Sequence, residues 1–354
     1  MTILVIGAGP VGLMAALALA NQNIPCRIVE RRTTPSELSR AVGIIPETIE
    51  ALLRLGAGEA ILAEAMPLRK IEVSRAGKIL MQLDNTGPVF RDRVIMGLPQ
   101  NRTEEIMRDI LAAKGVQVAY GVSVETLTTD DDRATVTFCD GSTEQYDWVI
   151  AADGVHSTAR TQLGIAYPGI DLPGDWSIAD VDVAGDFDPE FVQIEAQGRG
   201  GNFLIVLPIE ARRVRIVSST PDALAALDRP IKIARVRRTG TFGISIRQAQ
   251  TYRKGRVLLA GDAAHCHSPL GGKGMNLGMA DAVAAVQAIV NGQVDSYSDQ
   301  RHAAARDVIM MTERARKVVA SDALWARLLF SFVTGAISTL PLAHRQFMRA
   351  LTSL

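Results

Sequence analysis

The chain has 354 residues, enough for two domains or for one large domain with an insertion. Lys+Arg and Asp+Glu are equal at 38 each, which gives no basic excess for a nucleic-acid partner, and 47% hydrophobic against 21% charged residues leaves ample side chain for a core. Cys26, Cys139 and Cys266 are too scattered for a disulfide framework or zinc site, no histidine–carboxylate spacing suggests another metal, and no basic leader or unbroken apolar run of ~20 residues is present, so a cytoplasmic protein without a membrane span is expected.

Ile3, Leu4, Val5 and Ile6 form an apolar run that predicts a buried parallel strand. Gly7, Gly9 and Gly12 follow at G-x-G-x-x-G spacing, and residues 13–20 predict a helix with Pro10 and Val11 at its start. In such a loop Gly7 makes the tight turn, Gly9 lets a pyrophosphate approach the backbone, and Gly12 lets the helix pack against the strand. The free N–H groups and the positive end of the helix then face the phosphates. A second strand over 26–29 ends at Glu30, 18 residues past Gly12, where a ribose-binding carboxylate belongs. The motif calls for a dinucleotide and does not choose between NAD and FAD. Arg31 and Arg32 either face an adenosine phosphate or are solvated.

Ser39-Arg40-Ala41 lie in a loop before a helix over 46–55, which Pro46 starts and Gly56 stops. Residues 69–74 and 79–83 predict a strand pair turning at Ala76-Gly77, and 94–98 another strand. An amphipathic helix is expected over 102–113, ended by Gly115. Strands over 116–120, 122–127, 134–138 and 148–151, with a hairpin turn at Asp140-Gly141, predict a β-meander inserted in a parallel α/β domain. The strand over 149–152 ends in Asp153-Gly154 before a short helix, either a second ligand-contacting loop or a common turn.

From 165 to about 250 the strand-like runs 177–183, 191–196, 203–207, 214–217 and 242–246 occur without a long helix, as expected of a mainly antiparallel substrate domain. The chain then returns through a strand over 256–260 to Gly261-Asp262-Ala263-Ala264-His265. Pro269, Gly271, Gly272 and Gly274 make a rigid turn, and Gly274-Met275-Asn276 open a helix to about 290. A second strand, glycine loop and helix suggests two loops closing on one long cofactor. Residues 298–334 predict helix. The apolar stretch 324–342 is read as a helix closing the core or as a dimer face, in preference to a substrate or membrane-surface contact. The expected division is 1–164 and 251–295 for the cofactor domain, 165–250 for the substrate domain and 296–354 for a C-terminal helical region.

On three motifs in this order the chain resembles the FAD-dependent aromatic-ring hydroxylases, single-component flavoprotein monooxygenases with the para-hydroxybenzoate hydroxylase fold. Gly7, Gly9 and Gly12 with Glu30 resemble their ADP-binding fingerprint. The stretch from Asp153 and Gly154 to Arg160 matches their D-G-x-x-S-x-x-R motif, and Gly261-Asp262 through Pro269, Gly272, Gly274 and Asn276 matches their second FAD motif. Residues 252–256 are similar to the polyketide and phenol hydroxylase branch.

The resemblance implies an α/β fold: a Rossmann-like FAD-binding domain with an inserted β-meander, a smaller mainly antiparallel β substrate domain, and C-terminal helices. It implies non-covalent FAD, seated against Glu30 and held at its ribityl chain by Asp262. NADH or NADPH would bind transiently over the flavin, using Arg40 and Arg160. Arg40 and Arg102 stand where the family has arginines near the flavin or its phosphates, and Tyr297 and Arg301 resemble a Y-x-x-x-R of its C-terminal helices. The helix after Gly274, with Lys273 beside it, would face the reduced flavin's negative charge.

The implied activity is hydroxylation of an aromatic or polycyclic small molecule with NAD(P)H and O2, through a flavin C4a-hydroperoxide shielded from water, by a monomer or homodimer. An oxygen-independent flavin reductase or a flavin halogenase on the same scaffold is the alternative, although none of Trp148, Trp176 and Trp325 stands in a halogenase-type W-x-W-x-I-P. No catalytic base is identified among His156, His265 and His267, and His265 is expected to be structural.

Overall fold

The computed structural model describes residues 1–36, 39–86, 93–185, 187–197, 202–269, 271–321 and 323–354. The chain opens with β1 (Ile3–Ile6), α1 (Pro10–Asn21), β2 (Cys26–Glu30), β3 (Gly43–Ile44), α2 (Pro46–Arg54), α3 (Gly58–Glu64), β4 (Met66–Leu68), β5 (Lys70–Arg75), β6 (Lys78–Asp84) and β7 (Ile95–Gly97). It continues with α4 (Gln100–Ala113), β8 (Val118–Tyr120), β9 (Val124–Thr129), β10 (Ala134–Phe138), β11 (Thr143–Tyr146), β12 (Trp148–Ala151), α5 (Thr158–Gln162) and β13 (Gly169–Asp171). Then come β14 (Trp176–Val183), β15 (Phe191–Gln197), β16 (Asn202–Glu210), β17 (Arg213–Ser218), β18 (Ile233–Phe242), β19 (Ser245–Gln248), β20 (Arg253–Lys254), β21 (Val257–Leu259) and β22 (His265–Cys266). The last elements are α6 (Gly274–Val290), α7 (Val294–Ala320), α8 (Leu324–Thr339) and α9 (Pro341–Thr352).

One sheet runs β20-β21-β12-β1-β2-β8, and only β20 breaks its parallel order. β1 sits between two parallel partners with every residue buried, which is why its sequence is an unbroken apolar run and does not alternate. Helix α1 is apolar on all sides and buried from Gly12 to Leu19, packed between α4 and α6. Of the four strands expected in the meander, β9 and β10 join β11 in a separate sheet turned at Asp140-Gly141, with Gly141 at φ +81, while β8 and β12 belong to the parallel sheet.

A second large sheet runs β18-β14-β17-β16-β15-β5-β6, antiparallel except where β15 lies parallel to β5. The strand pair read over 69–74 and 79–83 therefore belongs to this sheet, so the sheet reaches back across the division expected at residue 165. Only pairing between distant strands brings β5 beside β15, and nothing local marks it.

The strand expected at 242–246 is two elements. β18 ends at Phe242, and β19 begins at Ser245 in a different sheet. β18 is an edge strand whose Arg235, Val236 and Arg237 face solvent, so no burial alternation announces it. The long C-terminal helix also divides, with α7 ending at Ala320 and α8 starting at Leu324.

One face of the second sheet, with Val181, Val206 and Ile216, is covered by the segment carrying Ala223, Leu224 and Leu227. The opposite face carries Trp176, Phe203, Val217 and Phe242 at one end, and at the other end the α8–α9 hairpin packs on Ile71, Val73, Met81 and Leu83. Among the described residues no helix is long and apolar enough to cross a membrane.

Candidate cofactor site

The glycines of the first loop separate by what each would strike. A Cβ on Gly7, which sits at φ +98, would lie 2.4 Å from the Ala152 carbonyl oxygen, and one on Gly12 would lie 1.9 Å from that of Gly7. Those two glycines are demanded by the protein's own packing. A Cβ on Gly9 meets nothing within 4 Å, so the protein leaves that side of the backbone open. Pro10 is the first residue of α1, and the Gly9 carbonyl accepts from Leu13 N–H.

Val11 faces the second loop. Its Cγ2 would stand 2.8 Å from a Cβ on Gly261 and 2.6 Å from one on Gly278, so two glycines are what let the loops touch. Glu30 closes the first loop from the tip of β2. Its Oε2 accepts from Ala8 N–H at 3.0 Å, and its Oε1 accepts from the backbone N–H and Nε of Arg32, both at 3.0 Å. Burial pushes the Glu30 carboxyl up, but the bonds from Arg32 and Ala8 outweigh it and hold the pKa below the usual range. Arg32 is thus the partner of Glu30, while Arg31 is exposed.

The loop after β12 is tied down from inside. Asp153 Oδ2 accepts from Ala159 N–H at 3.0 Å, its buried Oδ1 has no partner, and burial raises its pKa. Ser157 caps α5 by accepting from Arg160 N–H at 3.0 Å. The Arg160 guanidinium is buried, donates to the carbonyls of Val155 and Ala263, both at 2.9 Å, and lies 3.8 Å from the centroid of the Tyr167 ring. It staples this loop to the second one. His156 is exposed.

The second loop rests on a buried ionic group. Asp281, on α6, is 0% exposed. Its Oδ2 accepts from Gly261 N–H at 3.0 Å and lies 2.6 Å from His265 Nε2, and its Oδ1 accepts from Arg301 Nε at 2.6 Å. Burial pushes this carboxyl up, yet His265 and Arg301 prevail and hold its pKa down. Tyr297 donates to the Leu259 carbonyl at 2.7 Å at the end of the preceding strand. Tyr297, Arg301 and His265 therefore all brace the loop. Their partner Asp281 was not singled out, although a lone acid inside the apolar run of α6 marks it in the sequence.

Asp262 differs from its neighbours. Its side chain is open to solvent, and among the described residues its carboxylate accepts no hydrogen bond. The protein around it raises its pKa, while His265 and Arg40 pull the other way. Arg40 is exposed, with its guanidinium 5.7 Å from the centroid of the Phe242 ring. Its backbone is pinned to the second sheet: Arg215 holds Asp180 through two bonds of 2.7 and 2.8 Å and also donates to Ser39 Oγ at 3.2 Å and the Arg40 carbonyl at 3.3 Å.

Arg102 is elsewhere. Glu64 takes it at 2.7 Å through both Nε and a terminal nitrogen, and Glu105 takes the other.

The turn into α6 departs from expectation at two side chains. Gly272, at φ +61, donates its N–H to the Pro269 carbonyl at 3.0 Å. Asn276 is fully buried and spent: Nδ2 donates to the carbonyls of Gly43 and Gly272, and Oδ1 accepts from Ile45 N–H at 3.1 Å. It locks the turn to β3. The Lys273 ammonium, pushed down by burial, donates to the Ser353 carbonyl at 2.6 Å at the end of α9. Met275 is buried, and Gly274 opens α6 with no side-chain cap over its first N–H groups. His267 donates through Nδ1 to the Ser268 carbonyl at 2.8 Å, and burial pushes its pKa down to about 4.

Residues 1–312 match the family described as the FAD binding domain. The chain belongs to this family. As a member of the FAD binding domain family it is 33% identical over 304 residues to 6-methylpretetramide 4-monooxygenase of Streptomyces rimosus, covering 79% of this chain and 54% of that protein. It is 31% identical over 343 residues to an uncharacterized aromatic compound monooxygenase of Bacillus subtilis (strain 168), covering 89% of this chain and 68% of that one. The chain thus spans between about half and two thirds of the length of these relatives.

The crystal structure of p-nitrophenol 4-monooxygenase from Pseudomonas putida DLL-E4 superposes with a TM-score of 0.87 over 99% of this chain and 97% of that one, at 23% identity, which shows a shared fold. The residues present fit FAD. Gly9 is kept open where the protein needs no glycine, Glu30 turns its carboxylate to the loop, and Asp262 offers an unused acceptor on the loop that Val11 joins to the first.

Proposed function

We propose that the protein is an NAD(P)H- and FAD-dependent monooxygenase that hydroxylates an aromatic or polycyclic small molecule. The observation that carries this reading is the pairing of an open backbone cradle at Gly9 with a free carboxylate at Asp262, on two loops in contact through Val11. A cofactor that uses both must be long and must present hydroxyl groups at its middle, as FAD does. FAD bound there supplies the electron transfer and the activation of oxygen.

The chain's own residues do the rest. The N-terminus of α1 takes the diphosphate at Gly9, Glu30 accepts from the adenosine ribose, and Asp262 accepts from the ribityl chain. The uncapped N-terminus of α6 favours negative charge beside it by ~0.3–1 kcal/mol, up to ~2 when partly buried. Phe242, beside Arg40, belongs to an apolar cluster with Trp176, Phe203 and Val217 that would keep water from a flat apolar substrate held next to it. Exposed Arg40 attracts the phosphates of the departing nicotinamide cofactor. The names of the two sequence relatives support an aromatic or polycyclic substrate.

The test is NAD(P)H oxidation by the purified yellow protein across a panel of phenols and polyketide-like compounds, with oxygen uptake and product mass followed together. Substrate-stimulated oxidation that consumes O2 and yields a product heavier by one oxygen is expected. Equal turnover without O2 would replace the proposal with a flavin reductase.

A further inference from the structure

Helix α8 has two apolar faces, and the fold uses one. Phe330, Thr334 and Ile337 turn toward the second sheet, where Ile337 and Phe330 pack with Ile71, Val73 and Met81. Trp325, Leu328, Leu329, Phe332 and Val333, at i, i+3, i+4, i+7 and i+8, form the other face and lie in solvent, with Trp325 64% and Phe332 75% exposed. Leu340 and Leu342 extend the exposed surface around the turn into α9.

The exposed charges near the end of α7 and on α9, on either side of α8 in the chain, are basic. Exposed Arg314 and Lys317 stand near the end of α7, ahead of α8, and exposed Arg345 and Arg349 stand on α9, just after it. Arg345 shares a shallow cavity of about 210 Å³ with Leu340 and Pro341. Glu313 is paired with Arg316, and no acidic side chain among the described residues of 310–354 is exposed. A second copy docked face to face would bring two sets of these cations together, which opposes an isologous dimer. An anionic lipid surface complements them. Trp, Phe and Leu enter the headgroup boundary while Lys and Arg at both ends reach the phosphates.

We propose that the exposed face of α8, flanked by Arg314, Lys317, Arg345 and Arg349, docks the protein in the plane of an anionic membrane surface. With 16 residues, α8 lies along the bilayer and does not cross it. The docking is independent of the proposed reaction.

FAD-loaded protein is mixed with phosphatidylcholine vesicles with or without phosphatidylglycerol, and binding is read by co-sedimentation and tryptophan emission. Trp148 and Trp176 are buried, so a change in emission reports Trp325. Binding about tenfold or more stronger to the anionic vesicles, weakened by salt, is expected with a blue shift. Phe332→Glu and the double variant Arg345→Glu/Arg349→Glu should each lose it while keeping FAD content and thermal midpoint. No sedimentation with anionic vesicles and unchanged emission overturns the proposal. So does a concentration-dependent dimer, seen without lipid and dissolved by Phe332→Glu, in a protein that ignores vesicles.

Discussion

The two loops that meet at Val11 are held in place by different means. The first is a backbone construction: a buried strand, a turn at Gly7, and a helix packed so close that Gly12 has no room for a methyl group. The second is held by side chains reaching from far along the chain. Asp281 and Arg301 come from α6 and α7, Arg160 from the Asp153 loop, and the side chain of Asn276 bonds Gly43 and Ile45 near the start of the chain. A backbone-built loop tolerates almost no change at its glycines. A loop built from side chains fails through unpaired charges instead.

The sharpest way to break this contrast is Gly12→Ala. Its Cβ would meet backbone, which cannot rotate away, so the cost should exceed the ~1–3 kcal/mol usual for overpacking, and FAD content should be lost altogether. Gly9→Ala sharpens the point. Gly9 has φ −77, which alanine adopts freely, and its Cβ meets nothing, so the apo-protein should keep or slightly raise its thermal midpoint while FAD affinity falls. Equal FAD affinity in the alanine variant at Gly9 would remove the ligand from that side of the loop.

For the second loop, Asp281→Ala leaves His265, Arg301 and Gly261 N–H without their shared acceptor. Loss of one partner from such a buried pair costs ~3–5 kcal/mol, to be read by urea denaturation of the apo-protein. A loss under ~1 kcal/mol would mean that the loop does not depend on side-chain charges.

Asp262→Ala should do the opposite. FAD affinity should drop by ~1.5–3 kcal/mol, the worth of a hydrogen bond to a charged group. Apo stability should hold, because this solvent-open carboxylate accepts no hydrogen bond from the described residues.

A further contrast concerns pH. His267 has a folded pKa of about 4 against an ordinary 6.5. Between those values the unfolded chain takes up a proton that the folded one refuses, so stability falls as pH drops, by up to ~1.4 kcal/mol per pH unit. His267→Phe should flatten that part of the stability curve. The depressed carboxyls of Glu30 and Asp281 act lower, losing their contribution as pH falls through and below their ordinary range. An unchanged slope in the His267 variant would place its ring in solvent.

By itself the sequence determined the β1–α1–β2 unit, the glycine loops, the hairpin at Asp140-Gly141, the extent of α6 and the positions of Glu30 and Asp262. Each of these depends on neighbours within a few residues: an apolar run, a glycine spacing, a turn dipeptide. The tertiary structure decided which of the polar side chains so located are free. Asp262 and Arg40 remain open, while Arg160, Asn276, Lys273 and Arg102 are spent on carbonyls and carboxylates up to 233 residues away. It also decided that β5 and β6 join the second sheet, that β18 exists as a charged edge, and that one apolar face of α8 stays in solvent. The reason is physical. Whether a hydrogen-bonding group is satisfied depends on everything packed around it, and spacing along the chain carries no record of partners brought together by the fold.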